Sequence, residues 1–230
     1  MLTSIIYLLR PFLLFILILV ITLFVSRLGF SFWQFERITN TGSLLTLLFN
    51  GLRIDLSTIG YLLVIPALIH PWAMLNDKLS ALWLTLLKCI FTIIFISVLF
   101  FELATPAFIT EYGFRPNRLF IEYLAYPNEV IKMLFNGKLF KRYQPVGKSK
   151  IAPSVISSCL LVIVLFAFAR GTAGHRPINP SLVYFSTDPL INSLTLNSIY
   201  SVAHAYKQFG DEENAAKLYG KMNEKDLIDI

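Results

Sequence analysis

Four stretches of this chain are apolar over the thickness of a bilayer, and they restrict its folds more than any other feature. They cover about residues 5–28, 48–70, 79–102 and 151–169. The first is centred on PFLLFILILVITLFV and the last, IAPSVISSCLLVIVLFAFA, carries no charge. A transmembrane helix needs roughly 20 mostly apolar residues. In lipid every backbone polar group must be satisfied internally, so runs of this length fold as helices. The spacing therefore predicts an all-α, polytopic transmembrane helix bundle with four clear helices. Composition agrees: 56% of residues are hydrophobic and 15% charged, against about 45–50% and 25% in soluble domains. The N-terminal run lacks the small-residue cleavage site of a removed signal peptide and reads as a retained helix.

The net charge is +6. No basic stripe lies on a soluble domain, which excludes a nucleic-acid reading. The excess fits loops held on one side of a membrane and meeting anionic lipid. KLFKRYQPVGKSK, residues 138–150, is the strongest such loop, with Lys138, Lys141, Arg142, Lys148 and Lys150 and no acid. Placed in the cytoplasm, it sends the last helix outward and makes residues 171–230 an extracytoplasmic tail after a 1–170 transmembrane domain. The parity then fails by one. With the N-terminus inside, the third helix exits, yet the chain must be inside again at Lys138. Either residues 117–137 form a fifth crossing, or a helix is lacking, or the N-terminus lies outside.

Residues 105–136 mix aromatics with charges every few positions, a composition suited to an interfacial helix and loop. In the tail, RGTAGHRPINP is turn-rich and reads as a linker beyond Arg170. Asp188-Pro189 is an N-cap and first-turn proline opening a helix over about 190–208, and Asp211 is expected to cap another over about 212–222. The tail is too short and polar for a core of its own.

Little in the chain points to catalysis. His70, His175 and His204 are far apart and form no metal-ligand pattern. Asp211, Glu212 and Glu213 read as a solvated helix start. Cys89 and Cys159 fall in apolar runs and are expected to pack there rather than form a disulfide or bind metal. Lys88, a third of the way into its helix, reads as snorkelling to the nearer interface.

The conspicuous charges are Arg53 and Asp55, inside GLRIDLSTIGYLLVIPALIH at 51–70. Two residues apart on a helix is about 200°, so they cannot share a face. Glu102 ends the third helix at the same membrane level, followed by Glu111, Arg115 and Arg118. These six form a candidate lipid-headgroup site, because an arginine fork matches a phosphate and a carboxylate accepts from glycerol hydroxyls. The competing reading is a helix lock made by an Arg53–Glu102 or Asp55–Arg115 ion pair.

Four stretches in order, GLRIDLSTIGYLL (51–63), EYGFRPNRLFIEYLAYPNEV (111–130), RGTAGHRPINPS (170–181) and NSLTLNSIYSV (192–202), resemble the membrane half of the lipoteichoic acid synthase and phosphoglycerol transferase family, in its Gram-negative form. The resemblance spans about residues 45–205. It implies a bacterial inner-membrane protein anchoring an extracytoplasmic sulfatase-like domain. That domain would hold a divalent metal, usually manganese, and move phosphoglycerol from phosphatidylglycerol to a glycan or lipid acceptor. Its nucleophile and metal ligands match no residue here, so this chain is expected to contain no catalytic residue and no cofactor of its own. Its expected partners are a phosphatidylglycerol-like lipid and a catalytic domain or partner protein, which Arg170, His175 and Arg176 would brace. Two rival classes are a small transporter subunit, against which stands the absence of an inverted repeat, and a non-catalytic lipid-sensing protein.

Overall fold

The structure, a computed structural model, describes residues 2–41, 44–74, 77–117 and 151–219. Among these residues it is all-α. The elements are α1 (Leu2–Trp33), α2 (Phe35–Thr41), α3 (Leu44–Ala73), α4 (Asp77–Tyr112), α5 (Ile151–Arg170), α6 (Pro180–Val183), α7 (Pro189–Thr195) and α8 (Ser198–Tyr219). Three of them, α1, α3 and α4, are long and apolar enough to cross a membrane, and α5 adds a shorter apolar helix. The chain is a multi-pass integral membrane protein.

Side-chain contacts fix the directions of the helices. Phe12 of α1 packs edge-on against His70 of α3, and Phe15 stacks on Phe91 of α4 at 4.1 Å. At the other end Arg27 meets Asp55, Ser26 meets Glu102, and Ser57 donates to the Ala169 carbonyl at 2.8 Å. Hence α1, α4 and α5 run one way and α3 runs against them. We call the end where Arg27, Asp55, Glu102 and Ala169 meet the assembled end. Because α4 and α5 both finish there, α4 ends and α5 begins at opposite ends of the bundle. The fifth crossing expected over residues 117–137 lies, apart from Asn117, outside the described residues. The start of α1 lies at the same end of the bundle as the start of α5.

The core between the helices is apolar: Phe12, Leu19, Ile59, Leu63, Ala67 and Leu165 are fully buried. The closest approach is between α3 and α5 at Gly60. A Cβ there would lie 2.6 Å from the Leu165 carbonyl oxygen and 2.9 Å from the Ala169 Cα, both backbone atoms. Small residues at such crossings let membrane helices approach closely enough for van der Waals packing and interhelical hydrogen bonds.

The helices are longer than the apolar runs. Residues 105–112, expected to belong to an interfacial helix and loop, continue α4, and residues 29–33, Phe35–Thr41 and 44–47 are also helical. These extensions persist because the tail packs on them. Leu190, Ile191 and Leu194 of α7 share one buried cluster with Phe30, Ile38, Leu47 and Ile109, and Val183 and Leu196 share another with Ile54. The tail thus borrows its core from the helix ends.

Asp188 caps α7, its side chain accepting from the Leu190 amide at 2.8 Å. Replacing Asp188 by alanine should cost about 1 kcal/mol, read as a small fall in thermal midpoint in detergent. The expected single helix over 190–208 is instead broken at Leu196-Asn197, and the expected break at Asp211 does not occur: α8 runs through it. The reason is the Asn197 side chain, whose Oδ1 caps α8 at the Tyr200 amide (2.8 Å). Cys89 and Cys159 are free thiols, exposed on the helix surfaces rather than packed inside. His70 is buried and accepts a hydrogen bond from the Trp83 indole at 3.0 Å, within a helix that continues to Ala73.

Candidate functional site

Two buried ion pairs lie side by side at the assembled end. The first joins Arg27 of α1 to Asp55 of α3, with side chains 1% and 0% exposed. The guanidinium is bidentate: Nη1 donates to Oδ2, and Nη2 to Oδ1 at 2.7 Å. Its remaining donors reach the C-terminal carbonyls of α7, Leu194 through Nε at 3.2 Å and Thr195 through Nη2 at 3.4 Å. A cation at a helix C-terminus is favourable in itself. Asn197 completes the pair, its Nδ2 donating to Asp55 Oδ1 (3.0 Å) and to Thr58 Oγ1 (2.8 Å). Gly51 makes room for all of this, because any Cβ there would collide with the Arg27 side chain.

The second pair joins Arg115 to Glu102 of α4, Nη1 lying 2.9 and 3.1 Å from the two carboxylate oxygens. The chain turns back after α4 to bring Arg115 inward, and its guanidinium lies 4.8 Å over the Phe30 ring. Glu102 also accepts from the Ser26 hydroxyl and from the Ser198 amide (3.0 Å), the first residue of α8. A carboxylate at a helix N-terminus mirrors the arginine at the C-terminus of α7. The Ser198 hydroxyl closes the network to Arg115 at 3.1 Å and to Thr105 at 2.6 Å. The α7–α8 break is therefore clamped by opposite charges, one on each helix terminus.

The sequence brings Asp55, Glu102 and Arg115 to one level, as their spacing predicts, but pairs them differently. Neither Arg53–Glu102 nor Asp55–Arg115 forms: Asp55 is taken by Arg27 and Arg115 by Glu102. Arg27, Asn197 and Ser198 were not legible as site residues. The available signal was an arginine near the end of one apolar run and an aspartate near the start of the next. Glu111 is exposed on the last turn of α4, and Arg118 lies outside the described residues.

Arg53 points away from this network, as the 200° separation requires. Its Nη2 donates to the Gly171 carbonyl at 3.3 Å. Arg170, at the end of α5, curls over the turn that follows, donating to Thr172 O at 3.2 Å and to Gly174 O. Arg53 and Arg170 line one shallow pocket of about 370 Å³ with Leu56, Ala167, Phe168 and residues 171–173. Among the described residues neither arginine has a carboxylate partner. His175 and Arg176 are exposed on the same turn-rich segment, which Ile178 ties back to Arg170 O at 2.9 Å.

A larger groove of about 600 Å³ separates α3 from α8 and is bordered by residues 176–179. Tyr200 spans its edge, donating to Ile178 O at 2.9 Å. Burial, helped by Tyr61 and Tyr184, pushes its phenol to about 12, so it remains a donor. Burial and then Lys207 hold the His204 imidazole below its ordinary value. Among the described residues no group of three His, Cys, Asp or Glu side chains converges. No family model and no solved structure matches this chain.

Proposed function

We propose that this chain is the membrane anchor and lipid-presenting portion of a phosphoglycerol-transferase-like protein of the bacterial cytoplasmic membrane. Its tail lies on the extracytoplasmic side. The reaction class, transfer of phosphoglycerol from phosphatidylglycerol to an envelope glycan or lipid, comes from the resemblance of the four sequence stretches. The chemistry would be carried out by a domain outside the described residues. What the present residues contribute is position: a tail clamped to the bundle, and cations at the level where the helices emerge.

The observation that carries the lipid-presenting part is the Arg53–Arg170 pocket. Two guanidinium groups from adjacent helices flank an apolar floor with no carboxylate between them, which matches a phosphodiester above acyl chains. The Asp55, Glu102 and Arg115 side chains support the other part, as the lock that holds the tail. The test is lipid retention by the purified protein. Arg53→Gln with Arg170→Gln should weaken retention of phosphatidylglycerol at this pocket about tenfold, the order of one lost charge-assisted hydrogen bond. Unchanged lipid at normal protein level would leave these arginines with an anchoring role alone.

A further inference from the structure

We propose that the groove between α3, α8 and residues 176–179 is a second lipid site. It would hold the phosphate of an anionic diacyl phospholipid between Arg176 and Lys207, with the acyl chains running down α3. The site shares no lining residue with the Arg53–Arg170 pocket. It rests on the membrane reading of the chain and not on any transferase activity.

Three observations converge on an amphiphile of this charge. First, the groove is graded. Leu62 and Ile199 form apolar walls, whereas Arg176, Lys207 and His204 stand on α8 and the bordering segment, and no acidic residue lines it. Arg176 and Lys207 are exposed, and among the described residues neither is held by a carboxylate. A phosphodiester supplies the missing negative charge, and the Asn179 amide and the His204 imidazole supply polar groups for the rest of a headgroup. Second, the volume of about 600 Å³ is in the range of pockets that take small organic ligands. Third, the groove continues into a track. Tyr61, Ile65, Leu68 and Trp72 are all exposed on α3, and their four- and three-residue steps put them on one helix face. That face begins at the groove and runs toward the far end of the bundle, as an acyl chain would. A soluble anion would use only the cationic half of this surface.

The experiment uses the full chain, delipidated in detergent and titrated with dioleoylphosphatidylglycerol, dioleoylphosphatidylethanolamine or inorganic phosphate, and read by native mass spectrometry. Wild-type protein should hold phosphatidylglycerol in preference to phosphatidylethanolamine, and millimolar phosphate should not displace it. Arg176→Ala with Lys207→Ala should weaken one of the two phosphatidylglycerol binding steps about tenfold, and Arg176→Lys with Lys207→Arg should restore most of it. Both side chains are exposed and outside the ion-pair network, so the thermal midpoint should not move. A benzophenone amino acid at Tyr61 should cross-link to lipid in the wild type and not in the alanine pair. The proposal is overturned if the alanine pair binds phosphatidylglycerol like wild type, if phosphate alone competes it away, or if the Tyr61 probe captures no lipid. Arg53→Gln in the same assay reports the other pocket: loss there with the Tyr61 cross-link intact separates the two sites. Failure of the membrane reading would show differently, as release of the chain from membranes by alkaline carbonate.

Discussion

Arg27→Ala should destabilise the protein by about 3–5 kcal/mol, the largest effect of any single side chain at the assembled end. Removing one partner of a buried ion pair leaves the other charge uncompensated in a low dielectric, and that penalty sets the size. Asp55 would be left fully buried with only Asn197 donating to it. The Leu194 and Thr195 carbonyls would lose their donor as well, so the end of α7 should loosen first. The expected result is a large fall in thermal midpoint in detergent, with new protease cleavage between residues 171 and 197. Asp55→Ala should behave alike. The double variant Arg27→Met with Asp55→Leu should recover much of the loss, because a buried pair replaced by apolar residues of similar volume is often neutral. If Arg27→Ala and Asp55→Ala instead cost less than about 1 kcal/mol each, as exposed pairs do, the pair does not hold the tail.

Gly60→Val should separate α3 from α5. Even alanine puts its Cβ against the backbone of Leu165 and Ala169, and backbone in two packed helices cannot move aside as a side-chain tip can. Overpacking typically costs 1–3 kcal/mol, and valine adds further bulk, so about 3 kcal/mol is expected for Gly60→Val and less for Gly60→Ala. The displacement should also break the Ser57–Ala169 and Arg53–Gly171 hydrogen bonds at the same crossing. The expected signature is a lower thermal midpoint together with altered reactivity of Cys159, the free thiol on α5. Gly29→Ala is the control: nothing lies within 4 Å of its Cβ, so it should leave stability unchanged or slightly raised. Equal effects at Gly29 and Gly60 would mean that helix propensity, not close approach, is being measured.

Much of the bundle was legible because membrane-length apolar runs admit few folds. The four helices fall where the runs do. The cap at Asp188 was legible too, since it depends on neighbours in sequence. The break at Asn197 was not. The start at Asp188-Pro189 predicts one helix through SLTLNSIYSV, and the three groups that Asn197 bonds, on α3 and α8, make interrupting it favourable. The helix extensions past the apolar runs were missed for the same reason: residues 105–112 look interfacial until α7 and α8 are packed against them.

The sequence by itself determined which segments are apolar over the thickness of a bilayer, and that Arg53 and Asp55 must face different ways. Those properties follow from hydrophobicity and helical pitch, each of which acts locally. Only the tertiary structure decided the partners. Any of several arginines could neutralise Asp55 or Glu102. The choice of Arg27 and Arg115 depends on Gly51 leaving space, on the turn after Tyr112, and on two helix termini of a distant tail supplying carbonyls and amides. Selection among like charges is a matter of three-dimensional fit, and spacing along the chain does not encode it.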